Sequence, residues 1–299
     1  KKLNQKKYFY LEKKISEENY EKIMKLGDKS IKPEEKVLRI YPQKNLFSHI
    51  IGQIDDNNNG ISGLEKSFNE ILRKSKTDIK LTVDKDIQFL IRKELIKYQE
   101  IFKSKGSAAI LMDVNNGNIL SLVSLPDFDP NQRKNITDIN LINRVTKGTY
   151  ELGSVFKPFT FASALNKDLI KPETEFLNLP KSIRCEKHRI GEYDNEIPSD
   201  LSAEQILIRS GNIGSVRIAQ KIGPEKYKSF LEKIGVLRQI SFDIEEVAPQ
   251  KNYNFGKCKL ATASFGHGIA TTILQLAKGY SIISNGGYDI NPTLINKSI

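Results

Sequence analysis

The chain reads Gly153-Ser154-Val155-Phe156-Lys157-Pro158-Phe159-Thr160-Phe161-Ala162-Ser163-Ala164-Leu165 at the point that decides its fold. Residues three apart share a helix face and lie about 5–6 Å apart at Cβ, so a helix here would place Ser154 beside Lys157. The run after Lys157 is apolar nearly all round, which is typical of a buried helix. Because burial lowers the pKa of a lysine amine, this serine and lysine are a candidate nucleophile and base pair.

The spacing of Ser154 and Lys157 is a weak signal by itself. Any serine three residues before a lysine matches it, and a first-turn serine followed by a surface lysine is the alternative interpretation. Two neighbours favour the catalytic interpretation. Gly153 lets the backbone turn tightly before the serine. Pro158 has no N–H, so the Ser154 carbonyl is expected to lack its usual intrahelical partner. Together they predict a constrained helix start.

A second candidate element is the loop Ile208-Arg209-Ser210-Gly211-Asn212-Ile213-Gly214, which lies between two predicted helices. It presents a hydroxyl on Ser210 and a carboxamide on Asn212. Such a pair could relay a proton and hold an amide. The alternative is simple helix capping, because serine and asparagine are common cap residues.

Composition limits the functions that the chain can have. Its 299 residues carry a formal charge of +11, and length predicts about two domains. The basic residues are dispersed and no nucleic-acid-binding signature is present, so nucleic-acid binding is not expected. The positive charge favours an anionic neighbour, such as a membrane surface or an acidic cell-wall polymer. A solvated basic surface is the alternative.

The cysteines and histidines predict no metal site. Cys185 and Cys258 form no CxxC pair, and the three histidines complete no metal-ligand spacing. A disulfide would require an oxidising compartment, and two inert buried thiols are the favoured expectation. No stretch approaches the ~20 apolar residues of a membrane span.

Periodicity predicts the secondary structure along the chain. Residues 107–113 and 118–124 are predicted to form a hairpin, because Asn115-Asn116-Gly117 accepts positive φ. Strands are predicted at residues 37–42 and 79–83. A domain boundary is predicted at residues 74–77. Helices are predicted over residues 16–26, 65–72, 87–102, 204–208, 214–222 and 272–284.

These residues resemble the penicillin-binding proteins, whose serine D,D-transpeptidase domains carry SxxK, SxN and KTG motifs. Ser154-Val155-Phe156-Lys157 matches the first motif and Ser210-Gly211-Asn212 matches the second. Residues 108–131 are similar to the stretch before the nucleophile in class B members. Residues 39–42 and 63–68 are similar to their pedestal region, and residues 264–277 to the loop and helix before the third motif. The loop at residues 265–268 is more similar to division-type members.

The resemblance implies an α+β fold, a serine β-lactamase/penicillin-binding-protein-like transpeptidase domain over residues 77–299. A pedestal or dimerisation-type segment is implied over residues 1–76. The resemblance also implies catalytic roles for Ser154, Lys157, Ser210 and Asn212, with no cofactor and no metal. The implied partners are peptidoglycan stem peptides, β-lactam antibiotics and membrane proteins of the divisome. The implied location is the inner membrane, facing the periplasm.

The third motif departs from the family pattern. No Lys-Thr-Gly occurs before Ile299, and we expect that strand to be encoded beyond this residue. Two alternatives to a septal transpeptidase stay open at this point. One is a β-lactamase or β-lactam sensor, against which the pedestal-like residues argue. The other is a non-catalytic scaffold that binds divisome proteins.

Overall fold

The computed structural model describes residues 9–12, 15–74, 78–132, 136–245, 247–249 and 252–296. The chain divides into two compact units, Lys1–Arg39 and Ile40–Ile299. In the first unit, helix α1 spans Glu17–Met24. It begins where the Ser16 hydroxyl oxygen accepts the N–H of Asn19, and it ends before Gly27, which has a φ of 66°. This confirms the predicted short helix.

The second unit mixes helices with short antiparallel strand pairs. The strands are β1 Gln53–Ile54, β2 Gly60–Ser62, β3 Ser107–Met112, β4 Ile119–Leu125, β5 Glu175–Phe176, β6 Ser182–Cys185, β7 His188–Gly191 and β8 Leu201–Ser202. They pair as β1–β2, β3–β4, β5–β8 and β6–β7. The helices are α2 Ser48–Ile51, α3 Gly63–Ser67, α4 Asn69–Lys74, α5 Lys85–Ile101, α6 Asp138–Leu141, α7 Lys157–Leu165, α8 Ala203–Ile208, α9 Asn212–Ile222, α10 Pro224–Lys233, α11 Lys257–Ala263 and α12 Ile273–Ser284.

Several predicted elements are confirmed because short-range signals determine them. Strands β3 and β4 form the predicted hairpin, and Gly117 in its turn has a φ of 79°. Helix α5 packs on this hairpin through Gln88, which is 1% exposed. The Gln88 side chain donates to the backbone carbonyl of Leu122 and accepts the backbone N–H of the same residue. Helices α8 and α12 begin at the capping residues Ser202 and Thr272.

Two strand predictions are wrong. Residues 37–42 form no strand, and Leu38 and Ile40 lie exposed, so their alternation does not mark a buried face. Residues 79–83 contain only an isolated bridge, from Leu81 to Ile295.

The helix predicted over 65–72 is two short helices, α3 and α4, separated at Phe68. The boundary predicted at residues 74–77 falls largely outside the described residues and stays a prediction.

Two hydrophobic clusters support the second unit. One lies beside the β3–β4 hairpin and includes Ile119, Leu122 and Leu294. The larger cluster surrounds α7 and α9 and includes Phe156 and Phe159, both fully buried. The candidate nucleophile and lysine therefore lie at the edge of the larger core.

No helix among the described residues is long and apolar enough to cross a bilayer.

Cys185 and Cys258 form a disulfide, so the expectation of two free thiols is wrong. The bond joins β6 to α11 across 73 residues of sequence. A separation of this length hides the proximity of the two cysteines from any local pattern. Because β6 pairs with β7, the disulfide ties the whole β6–β7 hairpin to the helical core.

We expect the double variant Cys185→Ser/Cys258→Ser to unfold with a free energy lower by about 4 kcal/mol, the chain-entropy value for a loop of this length. Denaturant unfolding of oxidised wild type and of the double variant measures the difference. Equal midpoints and slopes would contradict the expectation.

Candidate active site

Ser154 lies in a 3-10 turn, Gly153–Phe156, that leads directly into α7. Gly153 has a φ of 60°, the left-handed conformation that glycine adopts without a steric cost. The Ser154 carbonyl accepts the backbone N–H of Lys157. The usual helical bond to residue 158 is missing, as predicted, because Pro158 has no N–H, and a 3-10 bond from Lys157 takes its place. The constrained helix start itself is confirmed, with the Ser154 side chain exposed.

The Lys157 amine is buried among three oxygens. The residue is 1% exposed. Its Nζ lies 3.1 Å from Ser154 Oγ and 2.8 Å from Ser210 Oγ, and it also contacts the Ser210 backbone carbonyl. A neutral amine has two N–H donors and one lone pair. It could therefore donate twice to Ser210 and accept the Ser154 hydroxyl proton, which is the arrangement that general-base catalysis requires.

Burial also changes the acidity of this amine. Loss of solvation lowers the pKa of Lys157 to about 8, while the negative charge of Glu192 acts in the opposite direction and raises it. A lysine with a pKa of about 8 is partly neutral near physiological pH. The site therefore holds a base that an exposed lysine could not supply.

Ser210 owes its position to the way α8 ends. The N–H of Ser210 donates to the carbonyl of Leu207, and the N–H of Gly211 donates to that of Ile206. These two bonds form a Schellman motif, which usually has glycine at the left-handed position. Here Ser210 occupies it, with a φ of 54°. This backbone conformation brings both the carbonyl and the hydroxyl of Ser210 to the Lys157 amine.

Asn212 begins α9 beside these residues, and the β6–β7 hairpin holds it. Its Nδ2 donates to the Gly191 carbonyl at 3.0 Å, and its backbone N–H donates to Glu192 Oε2 at 2.6 Å. Asn212 makes no hydrogen bond to Ser154 or Lys157 within the described part of the chain. Sequence reasoning missed Glu192, because it lies 20 residues before Asn212 in an unremarkable polar stretch.

The loop at residues 264–268 braces the nucleophile turn. The Gly153 N–H donates to the Gly266 carbonyl at 3.3 Å. A Cβ built on Gly266 would lie 2.1 Å from the Gly153 carbonyl oxygen, so only glycine fits there. From α12, the Tyr280 hydroxyl donates to the Val155 carbonyl at 2.6 Å. The turn that carries Ser154 is therefore fixed on two sides.

The described residues contain no cluster of histidine, cysteine, aspartate and glutamate that could hold a metal ion. His267, at the edge of the site, instead pairs with Glu151 at 3.2 Å.

Two family models match the chain. The penicillin binding protein transpeptidase domain matches residues 107–299, and the penicillin-binding protein dimerisation domain matches residues 1–102. The chain belongs to the penicillin-binding protein transpeptidase family. The fold is accordingly the α+β fold shared by penicillin-binding proteins and serine β-lactamases.

Curated relatives agree with this assignment. The chain is 28% identical over 280 residues to the probable peptidoglycan D,D-transpeptidase FtsI of Caulobacter vibrioides, covering 92% of this chain and 47% of the relative. It is 26% identical to the peptidoglycan D,D-transpeptidase FtsI of Escherichia coli K12, covering 94% and 52%. The chain thus spans about half the length of these relatives. With the two family models, they place it among class B penicillin-binding proteins of the division type.

Solved structures share the architecture. Penicillin binding protein 3 of Mycobacterium tuberculosis in its apo form matches with a TM-score of 0.77 and 25% identity, over 86% of this chain and 61% of that one. The same protein in complex with ampicillin matches with a TM-score of 0.78 and 25% identity, over 87% and 60%.

The left-handed backbone of Ser210 can be tested by a matched pair of variants. A left-handed conformation costs an L-residue roughly 1–2 kcal/mol that glycine does not incur, while both variants lose the hydroxyl. We therefore expect Ser210→Gly to unfold with a free energy higher than that of Ser210→Ala by about 1 kcal/mol. Chemical denaturation measures the difference, and an alanine variant as stable as the glycine variant would contradict the assigned backbone.

Proposed function

We propose that this chain carries the acylating centre of a peptidoglycan D,D-transpeptidase, which cross-links stem peptides during septal cell-wall synthesis. The observation that carries the proposal is the buried Lys157 amine, 3.1 Å from Ser154 Oγ and 2.8 Å from Ser210 Oγ. FtsI relatives named as peptidoglycan D,D-transpeptidases support the same reaction.

In the proposed reaction, Ser154 is the nucleophile. Its Oγ bonds to the penultimate D-alanine carbonyl carbon while neutral Lys157 takes the hydroxyl proton. The C–N bond to the terminal D-alanine then breaks, and Ser210 relays the proton from the Lys157 ammonium to the leaving amine, which returns Lys157 to its neutral form. An amine of a neighbouring stem peptide next attacks the serine ester, which forms the cross-link and restores the Ser154 hydroxyl. General-base assistance of this kind contributes about 10²–10⁴ in rate.

Two backbone and side-chain groups complete the proposed site. The Ser154 N–H, at the start of a helical segment, is one donor for the oxyanion of the tetrahedral intermediate. Asn212 is proposed to hold the amide of the donor peptide. In the structure its Nδ2 donates to the Gly191 carbonyl, which orients the carboxamide, and its Oδ1 is the acceptor for a substrate N–H.

The proposed ligands include β-lactams, which would acylate Ser154 and block it. The complex of a related protein with ampicillin supports this class of ligand. The proposed location is the periplasmic face of the inner membrane, where divisome membrane proteins would be partners. The Cys185–Cys258 disulfide supports an oxidising compartment. We also propose that residues 1–76 form a pedestal segment and that residues 77–299 form a transpeptidase domain.

Labelling with a fluorescent penicillin tests the proposed reaction on the full-length gene product, so that any motif encoded after Ile299 is included. We expect covalent label on Ser154, found by peptide mass spectrometry, and none on Ser154→Ala. Lys157→Met should label about 10²–10⁴-fold more slowly, because the general base is lost.

Ser104→Ala is the matched control, since Ser104 is an exposed serine next to α5 and should label as the wild type does. Label that persists in Ser154→Ala, or wild-type protein that takes up no label, would contradict the proposal.

A further inference from the structure

The Glu192 side chain accepts two hydrogen bonds from the start of α9. Its Oε2 accepts the backbone N–H of Asn212 at 2.6 Å, and its Oε1 accepts the N–H of Ile213 at 2.9 Å. Both amides belong to the first turn of the helix, which has no intrahelical acceptor for them. One carboxylate from a separate hairpin therefore satisfies two donors that the residue before the helix, Gly211, has no side chain to reach.

The same hairpin also holds the Asn212 side chain. The Gly191 carbonyl accepts Asn212 Nδ2 at 3.0 Å. Gly191 lies at the end of β7, in register with Ser182 of β6, and the neighbouring Ile190 is buried. Cys185 of β6 is linked to α11 by the disulfide. The hairpin that holds the Asn212 side chain is therefore itself fixed to α11 by the disulfide.

Glu192 acts on the lysine as well as on the loop. The elements packed against α7 carry other ionisable groups, including Glu204 of α8, Arg217 of α9, Tyr227 of α10 and Tyr280 of α12. Within the described part of the chain, Glu192 is the charged group whose field shifts Lys157, and it favours the ammonium form. Burial favours the neutral form. Without the Glu192 carboxylate, burial would lower the pKa of Lys157 further.

We propose that Glu192 is a positioning residue, which fixes the Ser210–Asn212 loop beside the Lys157 amine through its two hydrogen bonds with the first turn of α9. The inference rests on the proposed function in treating this loop and Lys157 as one acyl-transfer site. The contacts of Glu192 can, however, be tested without substrate.

Glu192→Gln removes the charge and one acceptor while it keeps the size of the side chain. We expect the NMR titration midpoint of the Lys157 Cε resonance to lie below the wild-type midpoint, because the ammonium form loses its stabilising neighbour. The amides of Asn212 and Ile213 should exchange with solvent about tenfold faster or more.

Glu186→Gln is the matched control, because it removes the same charge from the exposed tip of the same hairpin. It should leave both the midpoint and the exchange rates as in wild type. Glu192→Asp keeps the charge, and its midpoint should stay nearer to wild type than that of Glu192→Gln. Unchanged exchange at the amides of Asn212 and Ile213 in Glu192→Gln would overturn the proposal. Failure of penicillin labelling would instead count against the proposed function and would not alter these readings.

Discussion

The burial of one amine is the constraint on which the rest of the site depends. An ammonium group inside a protein loses its solvation, and this cost must be met by hydrogen bonds or avoided by release of the proton. Lys157 does both in part, since three oxygens surround its Nζ and its pKa falls to about 8. The structure around it keeps those oxygens in place and keeps water away.

The two serines that supply the oxygens near Lys157 are fixed by different local features. The 3-10 turn that presents Ser154 is braced by Gly266 and by the Tyr280 hydroxyl. The Schellman end of α8 turns Ser210 toward the amine, in a left-handed conformation that a serine rarely adopts. Strain of this kind persists where surrounding contacts over-determine the backbone, and functional sites are where it is found. Helix α9, held by the hairpin through Glu192, completes the enclosure.

The sequence predicted what depends on short separations. The pairing of Ser154 with Lys157 follows from three-residue spacing, and the β3–β4 hairpin follows from its turn residues. What failed or was missed depends on long separations: the disulfide joins residues 73 apart, and Glu192 reaches Asn212 from another element. The strand predicted at 37–42 failed because an alternating pattern needs a buried face to mean a strand. The juxtaposition of Ser210 with Lys157 came from family resemblance, since the residues between them carry no signal for it.

If neutral Lys157 takes the Ser154 proton, the rate of Ser154 acylation depends on the protonation state of this amine, and therefore on pH. The second-order rate of penicillin labelling should be measured on the full-length gene product, with the background of Ser154→Ala subtracted. The neutral fraction of the amine grows as pH rises through its pKa. The labelling rate is therefore expected to increase with pH and to be half-maximal near pH 8. A rate that stays constant or falls as pH rises through this value would contradict it.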